Sequence, residues 1–182
     1  MRLLLLRHAK SERPEAEEGL EDHDRPLSER GRLAAPRIGA YMRASGYEPA
    51  LVLCSTAERT KQTLKLILPA FKKAPKIRYE RALYLAEWPQ LLARINKAPA
   101  NASPLLVVGH NPGLEHLAIA LALQPNSAGE RSRVQRLAEK FPTAALAVLD
   151  FTGTSWKRAK PGLGRLSDYV RPKDLKNFEP GP

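Results

Sequence analysis

Four short, strongly apolar runs decide what this chain can fold into. They are Arg2–Leu6, Ala50–Cys54, Leu105–Val108 and Ala144–Phe151. Continuous rather than alternating apolarity marks a strand buried on both faces, as in a sheet covered by helices on each side. The stretches between the runs carry helix signals. Ser28 reads as the N-cap of a helix with the apolar stripe Leu33, Ile38, Tyr41 and Met42, and Gly46 as its stop. Thr56–Leu68 reads as a helix closed by Pro69, and Pro89 opens another that runs to Ile95. Leu114, Leu117, Ala118 and Leu121 share one helical face, and residues 130–141 form a basic helical segment. Lys76–Tyr79 is a further short strand, and Tyr169–Val170 lies on an edge strand. Strands alternating with helices predict an α/β fold, a three-layer α/β/α sandwich around a mostly parallel central sheet. With 182 residues, against a prior of roughly 150 per domain, the expectation is a single domain over residues 1–182.

Composition removes several function classes. Cys54 is the one cysteine, so an intramolecular disulfide and any cysteine-based zinc or iron–sulfur cage are excluded. Arg7 ends the first apolar run, well before the 7–15 residues of a secretory signal. Leu117–Leu123 is far short of the ~20 residues that cross a bilayer. A cytoplasmic protein with no membrane partner is expected. The net charge is +11, and it is uneven. Residues 1–60 carry ten basic and ten acidic side chains, residues 61–129 nine and three, and residues 130–182 eleven and six. Such a field favours anionic substrates or partners. No helix-turn-helix, RNA-binding aromatic motif or zinc finger is present, so a solvated basic surface is preferred over a nucleic-acid site. Ala9–Pro26 reads as an irregular loop with an acidic cluster, Glu15, Glu17, Glu18, Glu21, Asp22 and Asp24. A solvated loop is the simplest reading. A screen over an arginine site and a selector of basic partners are the alternatives.

Three strand-like runs end in residues with chemistry. The first ends in Arg7-His8. The second ends in Cys54-Ser55, with Arg59 in the first turn of the next helix. The Leu105–Val108 run ends in Gly109-His110-Asn111-Pro112-Gly113 at another helix start. Ligands of open parallel sheets bind outside the carboxyl ends of the strands. If the three strands are neighbours, two histidines and two arginines converge where helix N-termini also favour an anion. Planar, bidentate guanidiniums suit a tetrahedral phosphoryl group.

These residues resemble the histidine phosphatase superfamily, with its phosphoglycerate mutase-like fold. Arg7-His8-Ala9 is similar to the R-H-G signature, with Ser11 where that family often has a serine. Ser55-Thr56-Ala57-Glu58-Arg59-Thr60-Lys61-Gln62-Thr63 resembles its S-x-x-x-R-x-x-Q-T segment. Gly109-His110-Asn111-Pro112-Gly113, and Arg25-Pro26-Leu27-Ser28 followed by Gly31, resemble the small bacterial phosphohistidine phosphatases of the SixA type. So does the stretch from Pro142-Thr143-Ala144 through Gly164-Arg165-Leu166 to Arg171-Pro172.

The resemblance implies His8 as nucleophile through a covalent phosphohistidine intermediate. Arg7, Arg59 and Arg25 would hold the phosphoryl oxygens, with Ser11 and Asn111 beside them, and His110 would donate to the phosphoryl group. It implies no metal and no cofactor, and a phosphorylated protein as substrate. Ala9 departs from the family's glycine and needs a backbone conformation that L-residues tolerate. Many relatives protonate the leaving group with a carboxylate after the third strand. Glu87 is the candidate here, and its context favours a helix-start role. The other readings are a small-molecule phosphomonoesterase of the same superfamily and a non-catalytic module binding phosphate or nucleic acid. A metal site at His110, Glu115 and His116 lacks helical i, i+4 histidine spacing. His23 reads as surface and His116 as packing. Cys54 and Arg59 are one residue short of a C-x5-R phosphatase loop, so Cys54 reads as a buried hydrophobe.

Overall fold

The computed structural model describes residues 1–12, 19–176 and 178. Six strands form one sheet. They are β1 (Arg2–Arg7), β2 (Leu51–Ser55), β3 (Lys76–Glu80), β4 (Leu105–Gly109), β5 (Leu146–Asp150) and β6 (Arg165–Val170), in the order β3-β2-β4-β1-β5-β6. β3, β2, β4 and β1 run parallel, while β5 is antiparallel to β1 and to β6. The helices are α1 (Glu29–Ala44), α2 (Glu58–Ile67), α3 (Trp88–Ile95), α4 (Gly113–Leu121) and α5 (Ala128–Glu139).

Alternate residues of the apolar runs enter opposite cores. Leu3, Leu5, Leu105 and Val107 join Leu91, Leu114, Leu117 and Leu137 of α3, α4 and α5. Leu4, Leu6, Leu106 and Val108 join Ile38, Met42, Leu64 and Ile67 of α1 and α2. This is why the runs are unbroken: both faces of each strand are covered, at about 1.5–3 kcal/mol for each fully buried side chain. The expected three layers are present.

The reversal of β5 has a topological cause. One crossover helix returns a chain to the start of a parallel neighbour. Here α4 and α5 both intervene between β4 and β5, so the chain comes back to the edge it left and β5 runs the other way.

The stripe expected on α1 holds at Ile38, Met42 and the half-buried Tyr41 and fails at Leu33. Ile38 and Met42 are buried with Gly31, Ala35 and Gly39, but Leu33 is 64% exposed. Small residues supply much of the buried face, which a count of large side chains overlooks. The helix continues through Pro36, whose ring faces outward. An interior proline costs about 3 kcal/mol, and burial of Ile38 and Met42 is of the size needed to offset it. Among the described residues no helix is long and apolar enough to cross a membrane.

Candidate active site

β2, β4 and β1 are neighbours, and Arg7 pairs in register with Gly109. Their carboxyl ends therefore deliver Ser55, His110 and Arg7-His8 to one edge of the sheet. The cleft there holds about 330 Å³. All seven residues expected from the sequence line it: Arg7, His8, Ser11, Arg25, Arg59, His110 and Asn111. Two glycines let the surrounding loops close on it. A Cβ on Gly31 would lie 2.0 Å from the Lys10 carbonyl oxygen, and one on Gly113 would lie 1.9 Å from that of Ala86. Neither position accepts a side chain while α1 and α4 start where they do.

The His8 imidazole is 7% exposed, and its Nδ1 lies 2.7 Å from the Ala9 carbonyl oxygen. A carbonyl only accepts, so Nδ1 carries the hydrogen and the lone pair of the neutral ring sits on Nε2. Burial pushes the His8 pKa down to about 3, against the Ala9 hydrogen bond, with the Arg59, Arg7 and Arg25 charges pressing the same way as burial. The ring is neutral at pH 7 and its free nitrogen is nucleophilic. Ala9 keeps a negative φ, so its methyl group is no strain. Its N–H donates to Thr63 Oγ1 at 2.9 Å, which fixes the turn after β1.

His110 lies 5.2 Å away, ring centroid to ring centroid. Its Nε2 meets Ser55 Oγ at 2.8 Å, while its Nδ1 is buried without a partner. Burial, then the His8 ring and Arg59, hold the His110 pKa down at about 2. When the Ser55 hydroxyl donates to Nε2, Nδ1 carries the proton and is a donor without an acceptor among the described residues.

The arginines are braced by protein acceptors. Arg7 Nη1 donates to the Phe141 carbonyl at 2.8 Å, and its buried Nε has no partner. Arg59 is 3% exposed and donates to the backbone and the carboxylate of Asp22, the latter at 2.9 Å. Arg25 donates to Asp22 Oδ1 at 2.7 Å, to Ser11 Oγ at 3.1 Å and to the Glu12 carbonyl. Tyr84 adds its hydroxyl to Asp22 Oδ2 at 2.6 Å. Burial pushes the Asp22 carboxyl up, but Tyr84, Arg25 and Arg59 outweigh it and hold the group well below the usual carboxylate range. Asn111 lines the cleft with its amide donating to Glu115 at 2.6 Å and to Phe141 at 3.0 Å, which ties the loop after β4 to the loop before β5.

Sequence reasoning missed Lys10, Asp22, Leu85 and Thr143, which also line the cleft, and the role of Ser55. Asp22 belongs to the acidic cluster, and its place over Arg25 and Arg59 matches the screen weighed above. Glu21 and Asp24 are exposed, and Glu15, Glu17 and Glu18 lie outside the described residues. Leu85 and Ala144 hold φ values of 48° and 58°, which no glycine signals in advance. The Ala144 N–H donates to the carbonyls of Arg7 and His8 at 3.1 and 3.0 Å.

Glu87 does not line the cleft. It is the N-cap residue of α3, and its N–H donates to Gln90 Oε1 at 3.0 Å. His23 meets Thr56 Oγ1 at 3.0 Å, and His116 is exposed rather than packed. Cys54 is fully buried in β2, and burial raises its pKa to about 12.

A tetrahedral anion in this cleft would meet two neutral imidazoles and three guanidiniums. The chain as a whole is similar to known proteins. The model of the histidine phosphatase superfamily, branch 1, matches residues 3–88. An uncharacterized protein of Mycobacterium tuberculosis is 39% identical over 92% of this chain and all of its own length. A crystal structure from Agrobacterium tumefaciens, assigned as phosphohistidine phosphatase SixA, is 34% identical with a TM-score of 0.75, covering 93% of this chain and 97% of that one. The structure of a protein histidine phosphatase SixA complexed with tungstate gives a TM-score of 0.74 at 19% identity, over 97% and 100% of the two chains, which is a likeness of fold.

Proposed function

The chain belongs to the histidine phosphatase superfamily, in its SixA-type group, and from that premise we propose that this phosphatase hydrolyses phosphohistidine on a protein in the cytoplasm. In the proposed cycle His8 Nε2 attacks phosphorus, and the phosphoryl group moves to His8 as the substrate imidazole leaves. Water then attacks phosphohistidine-8, releasing inorganic phosphate and restoring the ring. Splitting one displacement into two is the advantage of a covalent nucleophile. Arg7, Arg59 and Arg25 neutralise the phosphoryl oxygens, and His110 donates through Nδ1 as charge builds. The reading assigns no metal to the reaction, because the guanidiniums already supply the positive charge.

The observation that carries the substrate class concerns protons. Among the described residues Asp22 is the single carboxylate lining the cleft, and it is held ionised by Tyr84, Arg25 and Arg59. Glu87 caps α3 instead. An alkoxide leaving group needs a proton in the transition state, and a placed acid contributes roughly 10²–10⁴-fold. Protonated phosphohistidine expels a neutral imidazole and needs no carboxylic acid.

The test is a comparison of kcat/KM for phosphohistidine, nitrophenyl phosphate and glycerol phosphate, with and without EDTA. The expected order is phosphoramidate first, aryl ester next and alkyl ester at least about 10²-fold behind. Tungstate, a tetrahedral oxyanion, should compete with all three. Efficient glycerol phosphate turnover would move the assignment to a small-molecule phosphomonoesterase. Activity lost to EDTA and restored by one divalent ion would overturn the metal-free scheme.

A further inference from the structure

The residue that sequence periodicity placed in the core, Leu33, marks a second surface. Arg30, Leu33, Ala34 and Arg37 follow i, i+3, i+4, i+7 spacing on α1, with Arg30, Leu33 and Arg37 exposed and Ala34 half-buried at the border of the core. They line two shallow basins that share Arg30, Ala34, Pro172 and Lys173. The basin nearer the active site holds about 250 Å³ and shares Lys10 and Thr143 with it. The farther one holds about 420 Å³ and ends at Arg37 and Lys176. Together they make one trough that leaves the cleft and follows α1.

Its charge is almost all of one sign. Lys10, Arg30, Lys140, Lys173, Arg37 and Lys176 make no ion pair among the described residues. Arg171 is paired with Asp174, and among the described residues Glu29 is the one acidic side chain lining either basin. Between the cations lie Leu33, Ala34, Pro142 and Pro172. From Arg30 to Arg37 alone the trough runs about 10 Å, at 1.5 Å per helical residue. That reach exceeds what the cleft needs for one phosphoryl group.

We infer that this trough docks an acidic segment of polypeptide, the part of the substrate protein that flanks its phosphohistidine. The assignment to the substrate rests on the reading above; the recognition of acidic chain does not. Charge complementarity selects an anionic partner. The leucine, alanine and proline contacts suit a chain with apolar side chains among its carboxylates. No Phe, Tyr or Trp lines either basin, so the stacking platform that holds single-stranded nucleic acid is missing.

Two measurements on the full chain separate the inference from the function. The first is fluorescence anisotropy with a labelled Glu/Leu-rich peptide, a Lys/Leu-rich peptide and a single-stranded oligonucleotide. The parent should bind the acidic peptide, and the combined variant Arg30→Glu, Arg37→Glu and Lys173→Glu should bind it at least about tenfold more weakly. Equal binding by parent and variant overturns the trough. So does an oligonucleotide that binds more tightly than the peptide and loses affinity in the same variant. The second measurement is turnover of phosphohistidine peptides with glutamate or lysine flanks. The parent should favour glutamate flanks by about tenfold in kcat/KM, through KM, and the variant should lose that preference. Its nitrophenyl phosphate turnover should change less than about twofold, because none of the three residues lines the cleft. Acidic-peptide binding without hydrolysis of either phosphopeptide keeps the trough and removes the phosphohistidine reading. Hydrolysis of both without preference does the reverse.

Discussion

The cleft and the trough beside it carry charge of the same sign, and they hold it in opposite ways. In the cleft Arg7, Arg25 and Arg59 are each tied to a backbone carbonyl, and two of them also to Asp22. In the trough Arg30, Arg37 and Lys173 are exposed and unpaired among the described residues. Braced charge has fixed direction and little screening, which a transition state can use. Unbraced charge has reach but no geometry, so it collects a partner without specifying a bond. Lys10 and Thr143 border both regions, so a partner collected by one is delivered to the other.

The comparison breaks most sharply at His8. Replacing His8 by Ala should lower kcat for nitrophenyl phosphate by on the order of 10⁴-fold or more, while circular dichroism stays that of the parent. Trapping the parent in mid-turnover should give an adduct labile in acid and stable in base. An acid-stable adduct would assign the attack to another side chain and end the histidine scheme.

Arg59→Lys is the next test, because it keeps the charge and removes the fork. If direction matters in the cleft, kcat/KM should fall by about 10²–10³-fold. A loss of less than about fivefold would make the cleft no different in kind from the trough.

A pH titration sharpens the contrast through stability. The pKa of His8 falls from its ordinary 6.5 to about 3 in the fold, and that of His110 to about 2. Between those values and 6.5 the unfolded chain binds more protons than the folded one, so stability present above pH 6.5 is lost progressively as pH falls toward 3. Denaturant midpoints measured from pH 7.5 to 4 should decline, and the decline should be shallower in His8→Gln. The same displacement keeps His8 unprotonated below pH 6, so kcat/KM should show no acid limb at 6.5. No histidine lines the trough, and its charge-reversed variant should titrate as the parent does.

The smallest effect belongs to Glu87, outside both regions. Glu87→Gln should change phosphoramidate hydrolysis by less than about tenfold, well short of losing a general acid. A collapse of glycerol phosphate turnover in that variant would return Glu87 to the chemistry.

Much of this was legible in the sequence because the chemistry sits where apolar runs stop. Arg7-His8, Ser55 and His110 each follow a run buried on both faces, and adjacency of the three strands did the rest. What escaped depends on the whole fold. Periodicity on α1 named large residues, and the fold buries Gly31, Ala35 and Gly39 beside Ile38 and Met42 while turning Leu33 outward. Ser55 stands 55 positions from His110, and no local pattern pairs them. Asp22 was one of six acids in a row of loop residues, and only the packing of the loop against α2 selects it. Two helices preceding β5 were visible, yet strand direction follows from where they return the chain rather than from any residue.

Cys54 offers a clock for this site. It is the sole thiol, it lies in β2 beside Ser55, and it has no exposed surface. With its pKa near 12, almost none of it is thiolate at neutral pH, and an alkylating reagent has no path to it while α1 and α2 cover that face of the sheet. Alkylation must then wait for the α1 and α2 layer to open from the sheet beside that strand. Its rate, set against that of an unfolded thiol, reads the free energy of that opening directly. A substrate analogue that steadies the strand ends should slow the clock without touching the sulfur.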